Sequence, residues 1–191
     1  MSDSRHPARR ALITLLLAAS TGLLPSCATL PTPVPGTLTL RLSPASLGRP
    51  LALQQQLTVN ARGQVHRFDV FLEADNETVR LAVLNLGQTV ARLDWDGTSL
   101  MQTKAAWWPA AVSGERVLSD LQLMLWPTAV IAAALPRGWS LDEATPGQRT
   151  LRQGRDTVAT VTFVSATVSA LAQLREGYTI RVESRVIGAP P

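Results

Sequence analysis

From Leu51 onward apolar and polar residues alternate with a period of two. Leu51, Leu53, Leu57 and Val59 share one face, opposite Gln54, Gln56 and Thr58. Alternation of this kind predicts a half-buried strand. A turn at 60–63 leads to a second strand, with Phe68, Val70, Leu72 and Ala74 on one face, and Asp75-Asn76 turns the chain again. A third strand over 79–84 ends at Asn85-Leu86-Gly87. Thr89, Ala91, Leu93 and Trp95 then alternate with Arg92 and Asp94, and Asp96-Gly97 is a hairpin signal into 98–103. Consecutive strands joined by tight turns predict an antiparallel meander.

The middle of the chain changes period. Ser113 is a candidate N-cap with Glu115 in the first turn. Val117, Leu121, Met124 and Leu125 then recur at helical spacing, and Trp126-Pro127 ends the helix. Pro127 opens a second helix that Pro136 closes. Its residues from Val130 to Leu135 are apolar all round, which predicts a buried helix. Strands return at 139–142, 148–153, 156–164, 168–174 and 178–186. The stretch 156–164 is apolar on both faces, whereas Tyr178, Ile180, Val182 and Val186 oppose Thr179, Arg181, Glu183 and Arg185. The expected fold is mainly β with some α: an antiparallel sheet of about ten strands, curled because sheets this wide tend to curl. The two apolar helices are the only candidates to cover its concave face. Ser43 to Gly48 is read as a short helical turn.

The N-terminus follows a different plan. Arg5, Arg9 and Arg10 precede a charge-free stretch, 11–24, rich in Leu and Ala. That length suits a secretory signal and is too short to span a bilayer. The stretch runs into Leu24-Pro25-Ser26-Cys27, which resembles the lipobox of bacterial lipoproteins, with Pro25 where Ala or Ser is usual. The resemblance implies cleavage of 1–26, a diacylglycerol on the Cys27 sulfur and an acyl chain such as palmitate on its amine. Several acyl chains together hold a protein stably on a membrane. Ala28 lacks the Asp that keeps many such lipoproteins at the inner membrane, so the expected address is the outer membrane, lipid-anchored and facing the periplasm. The alternative is an ordinary secretory peptide with a buried free Cys. Pro31, Pro33 and Pro35 make 27–36 a semi-rigid tether. The folded domain is expected over 37–187, its regular structure starting between Thr37 and Leu51, and 188–191 reads as a disordered tail.

Composition narrows the function. The mature part carries 15 Arg/Lys against 13 Asp/Glu, a net charge of +2. No basic cluster or RNA-type aromatic motif supports nucleic-acid binding. One Cys allows no disulfide framework.

The strand–helix–strand order looks like the lipoprotein carriers of the LolA/LolB type, in which an incomplete antiparallel barrel has a concave apolar face lidded by helices. Within that superfamily the chain resembles a lipoprotein family without an assigned activity, often encoded beside aryl polyene and fatty-acid-like synthesis genes. Asp94-Trp95-Asp96-Gly97, Leu118-Ser119-Asp120-Leu121-Gln122-Leu123, Trp126-Pro127 and Gly177-Tyr178-Thr179-Ile180-Arg181-Val182 carry that resemblance, over roughly 51–186. The stretch Leu84-Asn85-Leu86-Gly87-Gln88-Thr89 is similar to a LolB turn whose Leu projects from the domain and helps place lipoproteins into the outer membrane. Carried over, that role falls on Leu86, preceded here by Asn85 where LolB has Pro. The alternative is that Leu86 folds back onto the sheet edge.

Enzymatic readings find little to stand on. Nucleophilic catalysis needs a base beside the nucleophile, and His66 is the one His of the mature part. It sits in an expected strand and reads as a surface residue. Asp94 and Asp96 resemble a carboxylate pair, but they flank a Gly turn, where Asp serves local hydrogen bonding. No metal or other cofactor is expected, since no His/Cys/carboxylate cluster of ligand spacing exists. Asp120 is expected to pair with an Arg of the sheet, Arg92 or Arg181. Trp107-Trp108-Pro109 is read as packing beneath the crossover, with an interfacial anchor as the alternative.

Two functions remain. The first is a non-enzymatic, monomeric carrier or receptor that takes acyl chains or lipoproteins into an apolar cavity, beside the outer-membrane bilayer, and exchanges them with a periplasmic LolA-like carrier or an envelope exporter. The cavity-lining candidates are Leu53, Val70, Leu72, Leu81, Leu93, Leu121, Leu125, Ile131 and Ile180. The second is a structural or assembly lipoprotein with a filled core that docks to an envelope transporter. An apolar void between sheet and helices favours the first; dense packing favours the second.

Overall fold

A computed structural model describes residues 37–109 and 112–187. The signal segment, Cys27 and the Pro-rich tether, and the tail at 188–191, lie outside the described residues.

Ten strands form one antiparallel sheet. In chain order they are β1 (Leu51–Ala61), β2 (Gln64–Ala74), β3 (Val79–Asn85), β4 (Gln88–Trp95), β5 (Leu100–Lys104), β6 (Trp139–Asp142), β7 (Gln148–Gln153), β8 (Asp156–Phe163), β9 (Val168–Gln173) and β10 (Tyr178–Val186). Their spatial order is β5-β4-β3-β2-β1-β10-β9-β8-β7-β6. Two five-stranded meanders are thus joined at the centre, where β1 pairs with β10 from Leu53↔Val186 to Ala61↔Tyr178. The edges β5 and β6 do not pair, so the sheet is an open half-barrel and not a closed one.

Both meanders bend by the same device. The register slips at Val83/Leu84 in the β3–β4 pair and at Leu151/Arg152 in the β7–β8 pair. Each slip leaves one extra residue, Val90 and Val158, outside the pairing. Such bulges bend a strand and tighten its twist. They also bury two consecutive residues, Val90-Ala91 and Val158-Ala159. That is why 156–164 reads as apolar on both faces.

The link between the two sheet edges holds α1 (Gly114–Leu125) and α2 (Thr128–Ala134). Ser113 caps α1 by accepting from Arg116 N at 3.2 Å. At the other end Pro127 cannot donate to the ladder, and Trp126 is driven to extended backbone. The last carbonyls of α1 are met from the sheet: the Arg149 guanidinium donates to Leu123 O, Met124 O and Trp126 O. A cation suits a helix C-terminus, which carries a partial negative charge.

Two expectations about the helices need correction. In α2 only Ile131 is buried, while Ala129 and Ala132 to Ala134 face solvent. An Ala-rich helix reads as apolar, but an exposed Ala methyl costs little and Ala is the best helix former. In α1 the most buried positions are Leu118, Ser119, Asp120, Gln122, Leu123 and Met124, and Val117, Leu121 and Leu125 are only half-buried. The face turned to the core is therefore partly polar.

Candidate functional site

The concave face is where an acyl site is expected, and it is full. Leu53, Val70, Leu72, Leu81, Leu93 and Ile131 are buried in one core, with Leu121, Leu125 and Ile180 packed half-buried against it. A small pocket between sheet and α1, lined by Leu38, Leu40, Ser119, Leu123, Leu151 and Val158, has room for about 10 Å³. That is roughly the minimum for one water. These residues come together, but around a packed core and not around an open cavity.

What fills the space is a segment the strand and helix periods do not reach. Residues 37–42 run extended, with Leu38, Leu40 and Leu42 buried and Thr37, Thr39 and Arg41 exposed. The segment takes no place in the sheet ladder. Side chains of α1 supply its hydrogen bonds instead. Leu40 N donates to Ser119 Oγ at 3.1 Å, and the Ser119 hydroxyl donates on to Leu38 O. Gln122 accepts from Leu42 N and donates to Leu42 O, both at 2.9 Å. Ser119 and Gln122 stand three residues apart, hence on one face of the helix. Trp95 Nε1 donates to Leu42 O at 2.8 Å, and Trp126 Nε1 to Ser46 Oγ at 3.0 Å. Among the described residues no buried side-chain N or O is left without a partner. We call 37–42 the strap. The alternation Leu38, Leu40, Leu42 is its signal in the sequence; it stands directly after the Pro-rich stretch and passes for more tether.

Beside the strap, α1 carries a second polar group. Asp120 accepts from Gln173 Nε2 at 2.6 Å and from the Tyr178 hydroxyl. Arg116, one turn earlier, lies 3.7 Å away and also pairs with Glu176. The expected partners Arg92 and Arg181 are not used; Arg92 is exposed on the sheet, and Arg181 pairs with Glu183. Burial pushes the Asp120 carboxyl up to about 6, against the opposing pull of Tyr178, Arg116 and Gln173. Burial and the neighbouring carboxylate push the Tyr178 phenol up.

The hairpin tip is the reverse of this interior. Leu86 and Gly87 join β3 to β4 between the paired residues Asn85 and Gln88. Both tip residues have positive φ, 50° and 77°. A two-residue turn of this kind favours Asn-Gly or Asp-Gly, since the left-handed region disfavours bulky residues. Leu86 nevertheless occupies it and is 96 % exposed. It does not fold back onto the sheet edge.

The other candidates resolve locally. Asp96 accepts from Thr98 N and Ser99 N, which lowers its pKa, and Asp75 does the same for Glu77 N and Thr78 N. These are turn carboxylates. His66 is exposed and stacks on Phe68 at 6.3 Å. The Trp pair divides: Trp108 is half-buried on Phe68 and donates to Val112 O, whereas Trp107 is 58 % exposed. Trp95 and Trp126 are core residues, and Trp139 lies under Arg175. Among the described residues no three His, Cys, Asp or Glu side chains converge as a metal site would require, and no helix is long and apolar enough to cross a membrane.

Comparison with other proteins gives a family and no activity. The model of a family described as "Protein of unknown function (DUF3261)" matches residues 52–186. No curated protein matches the chain. Among solved structures, a DUF1329 family protein from Desulfovibrio piger aligns at a TM-score of 0.35 with 11 % identity, over 78 % of this chain and 90 % of that one.

Proposed function

The chain belongs to the DUF3261 family, and from that premise, which names no reaction, we propose an outer-membrane lipoprotein that handles acyl chains without catalysis. Cys27 carries the lipid anchor, and the half-barrel faces the periplasm beside the bilayer. Its work is to receive lipids or lipoproteins from a LolA-like carrier or an envelope exporter and help insert them. The exposure of Leu86 carries this reading. A Leu in a left-handed turn position, held clear of the domain, has no partner in the fold and suits an apolar surface outside it. The open half-barrel with a helical cover supports the same reading.

The packed interior sets a condition on it. For an acyl chain to enter the concave face, the strap has to leave, because Leu38, Leu40 and Leu42 fill the space. The same packing supports a second reading, an assembly lipoprotein that docks to a transporter and never takes up lipid.

Two measurements separate these readings. The mature chain, residues 27–191 with Cys27→Ala, is purified from cells and weighed by native mass spectrometry. Co-purified lipid supports the carrier. Leu86→Glu is then assayed for lipid delivery in an otherwise normal, lipidated protein, and delivery is expected to fall at least tenfold. Lipid-free protein together with unchanged delivery by Leu86→Glu would leave the assembly reading standing alone.

A further inference from the structure

Every hairpin turn lies at one of two ends of the sheet, and the two ends carry opposite charge. One end holds the turns 62–63, 86–87, 154–155 and 174–177, with the segment leaving β5 and the segment entering β6. That β6 approach is placed by Gly154 N, which donates to Gly138 O. The charged residues of these segments are Arg62, Arg137, Arg155 and Arg175, against Glu176, with the exposed Asp156 directly after Arg155 as the first residue of β8. Of the two partners at the 174–177 turn, Arg175 is engaged with Gln153 and Trp139, and Glu176 with Arg116. The opposite end holds 48–50, 75–78, 96–99, 143–147 and 164–167, where Asp75, Glu77, Asp96 and Glu143 face Arg49 alone.

Exposed apolar side chains do not tell the ends apart: Val65, Leu86, Trp107 and Leu174 stand on the basic end, and Val164, Val186 and Ile187 on the acidic one. Backbone conformation does. Among the described residues the non-Gly positions with positive φ are Arg62 and Leu86, and both lie on the basic end. Each precedes a Gly in a two-residue hairpin, where Asn would sit more easily. The register sets Leu84 opposite Asp69, so the Leu86 tip and the Arg62 tip are offset by about four residues along the strands and two strand spacings across them, on the order of 15 Å. This end therefore presents an apolar tip and a cationic tip on neighbouring hairpins.

The chain also enters the domain at this end. Thr37 lines a surface depression with Thr39, Ser113, Glu115, Arg116 and Glu176, and Glu176 belongs to the 174–177 turn. Nine residues lie between Cys27 and Thr37, a reach of at most about 35 Å. An anchor at Cys27 keeps the basic end within that distance of its membrane.

We propose that the basic end is a docking face for the anionic surface of a phospholipid bilayer. Leu86 and Trp107 enter the headgroup region, and Arg62, Arg137 and Arg155 meet lipid phosphates. The inference rests on the membrane placement proposed above and adds the lipid chemistry and the face that meets it. Juxtamembrane cations attract acidic lipid, each contributing roughly fivefold in binding, and the attraction is screened within about 8 Å at physiological salt.

The test uses the mature chain with Cys27→Ala, so that no anchor contributes, and two vesicle types sedimented with it: phosphatidylcholine alone, and phosphatidylcholine with phosphatidylglycerol. Binding to the acidic vesicles is expected to be at least tenfold stronger and to fall with added salt. Arg62→Asn, Arg137→Gln and Arg155→Gln combined should weaken it by roughly a hundredfold, with a melting temperature no lower than the parent's confirming the fold. Arg49→Gln, at the other end, should change nothing. Equal binding to both vesicle types, no binding to either, or indifference to the three substitutions overturns the docking face. Co-purified lipid in a chain without vesicle preference overturns the docking face alone. Vesicle preference in a chain that carries no lipid upholds it and removes the carrier.

Discussion

Beneath α1 every buried side-chain N and O has a partner and the core is packed; at the hairpin tips a Leu and an Arg stand in water in a backbone conformation that both resist. The first region has an ordinary explanation. A strap excluded from the sheet ladder must satisfy its N–H and C=O groups elsewhere, because an unpaired buried polar group costs about 1–3 kcal/mol, and Ser119, Gln122 and Trp95 do so. The second region has no explanation within the fold. Asn at 62 and 86 would give the same hairpins with less strain. The interior is shaped by stability, and the tips are where the proposed contact with a membrane would act.

The comparison is broken most easily from the interior. Trp126 is fully buried and donates to the Ser46 hydroxyl beside the strap. Trp126→Ala is expected to cost about 3–5 kcal/mol, the usual range for a buried aromatic. Urea unfolding followed by intrinsic fluorescence measures it. A loss below about 1 kcal/mol, the size expected of a surface change, would mean that the strap and helix are not packed as one unit.

A smaller effect comes from Asp120, the interior group whose ionisation opposes its burial. Its carboxyl titrates near 6 in the folded protein against an ordinary 3.8. Between those values the folded state binds more protons than the unfolded one, so stability falls as pH rises from about 4 to about 6. Below that window the carboxyl is protonated in both states and the contribution is complete; above it the contribution is lost. Asp120→Asn keeps the size and an acceptor for Tyr178. It should flatten the slope by roughly 1–3 kcal/mol and be at least as stable as the parent at pH 7. Melting temperature measured from pH 4 to 7 tests this. Parallel curves for parent and variant would assign the pH dependence to other groups.

The two regions were unequally legible. Strands β1 to β10 and the ends of α1 stand in the sequence because their signals are local: alternation, Asp96-Gly97, Ser113, Trp126-Pro127. The bulges surface as paired burial at Val90-Ala91 and Val158-Ala159, which single-period reading takes for a strand buried on both faces. The central β1–β10 pairing joins residues over a hundred positions apart, and no local pattern encodes it. The strap escapes for a different reason. Its alternation is three Leu long, and the groups that hold it, Ser119 and Gln122, look like the solvent face of a helix. Leu86 is least legible of all: Leu-Gly lacks the Asn-Gly signature, so its exposure was reachable only through the likeness to the LolB turn.

The smallest expected effect separates the two regions most cleanly, because it has the opposite sign. Leu86→Asn removes a bulky side chain from the left-handed position and supplies a residue that tolerates it. The strain of such a position is of order 1 kcal/mol, so the variant should unfold at a slightly higher urea concentration than the parent. Leu86 is 96 % exposed, so little packing is lost to offset that gain. The same variant should bind phospholipid vesicles less well, since an apolar tip has become polar. A change in the fold interior cannot produce this pairing, where lost stability and lost function travel together. If Leu86→Asn destabilised the domain, Leu86 would be supporting the hairpin and its exposure would need no partner. If it stabilised the domain and left vesicle binding intact, the strain at the tip would serve some contact other than a membrane. Only a gain in one measurement with a loss in the other keeps the tip as a site and the interior as its support.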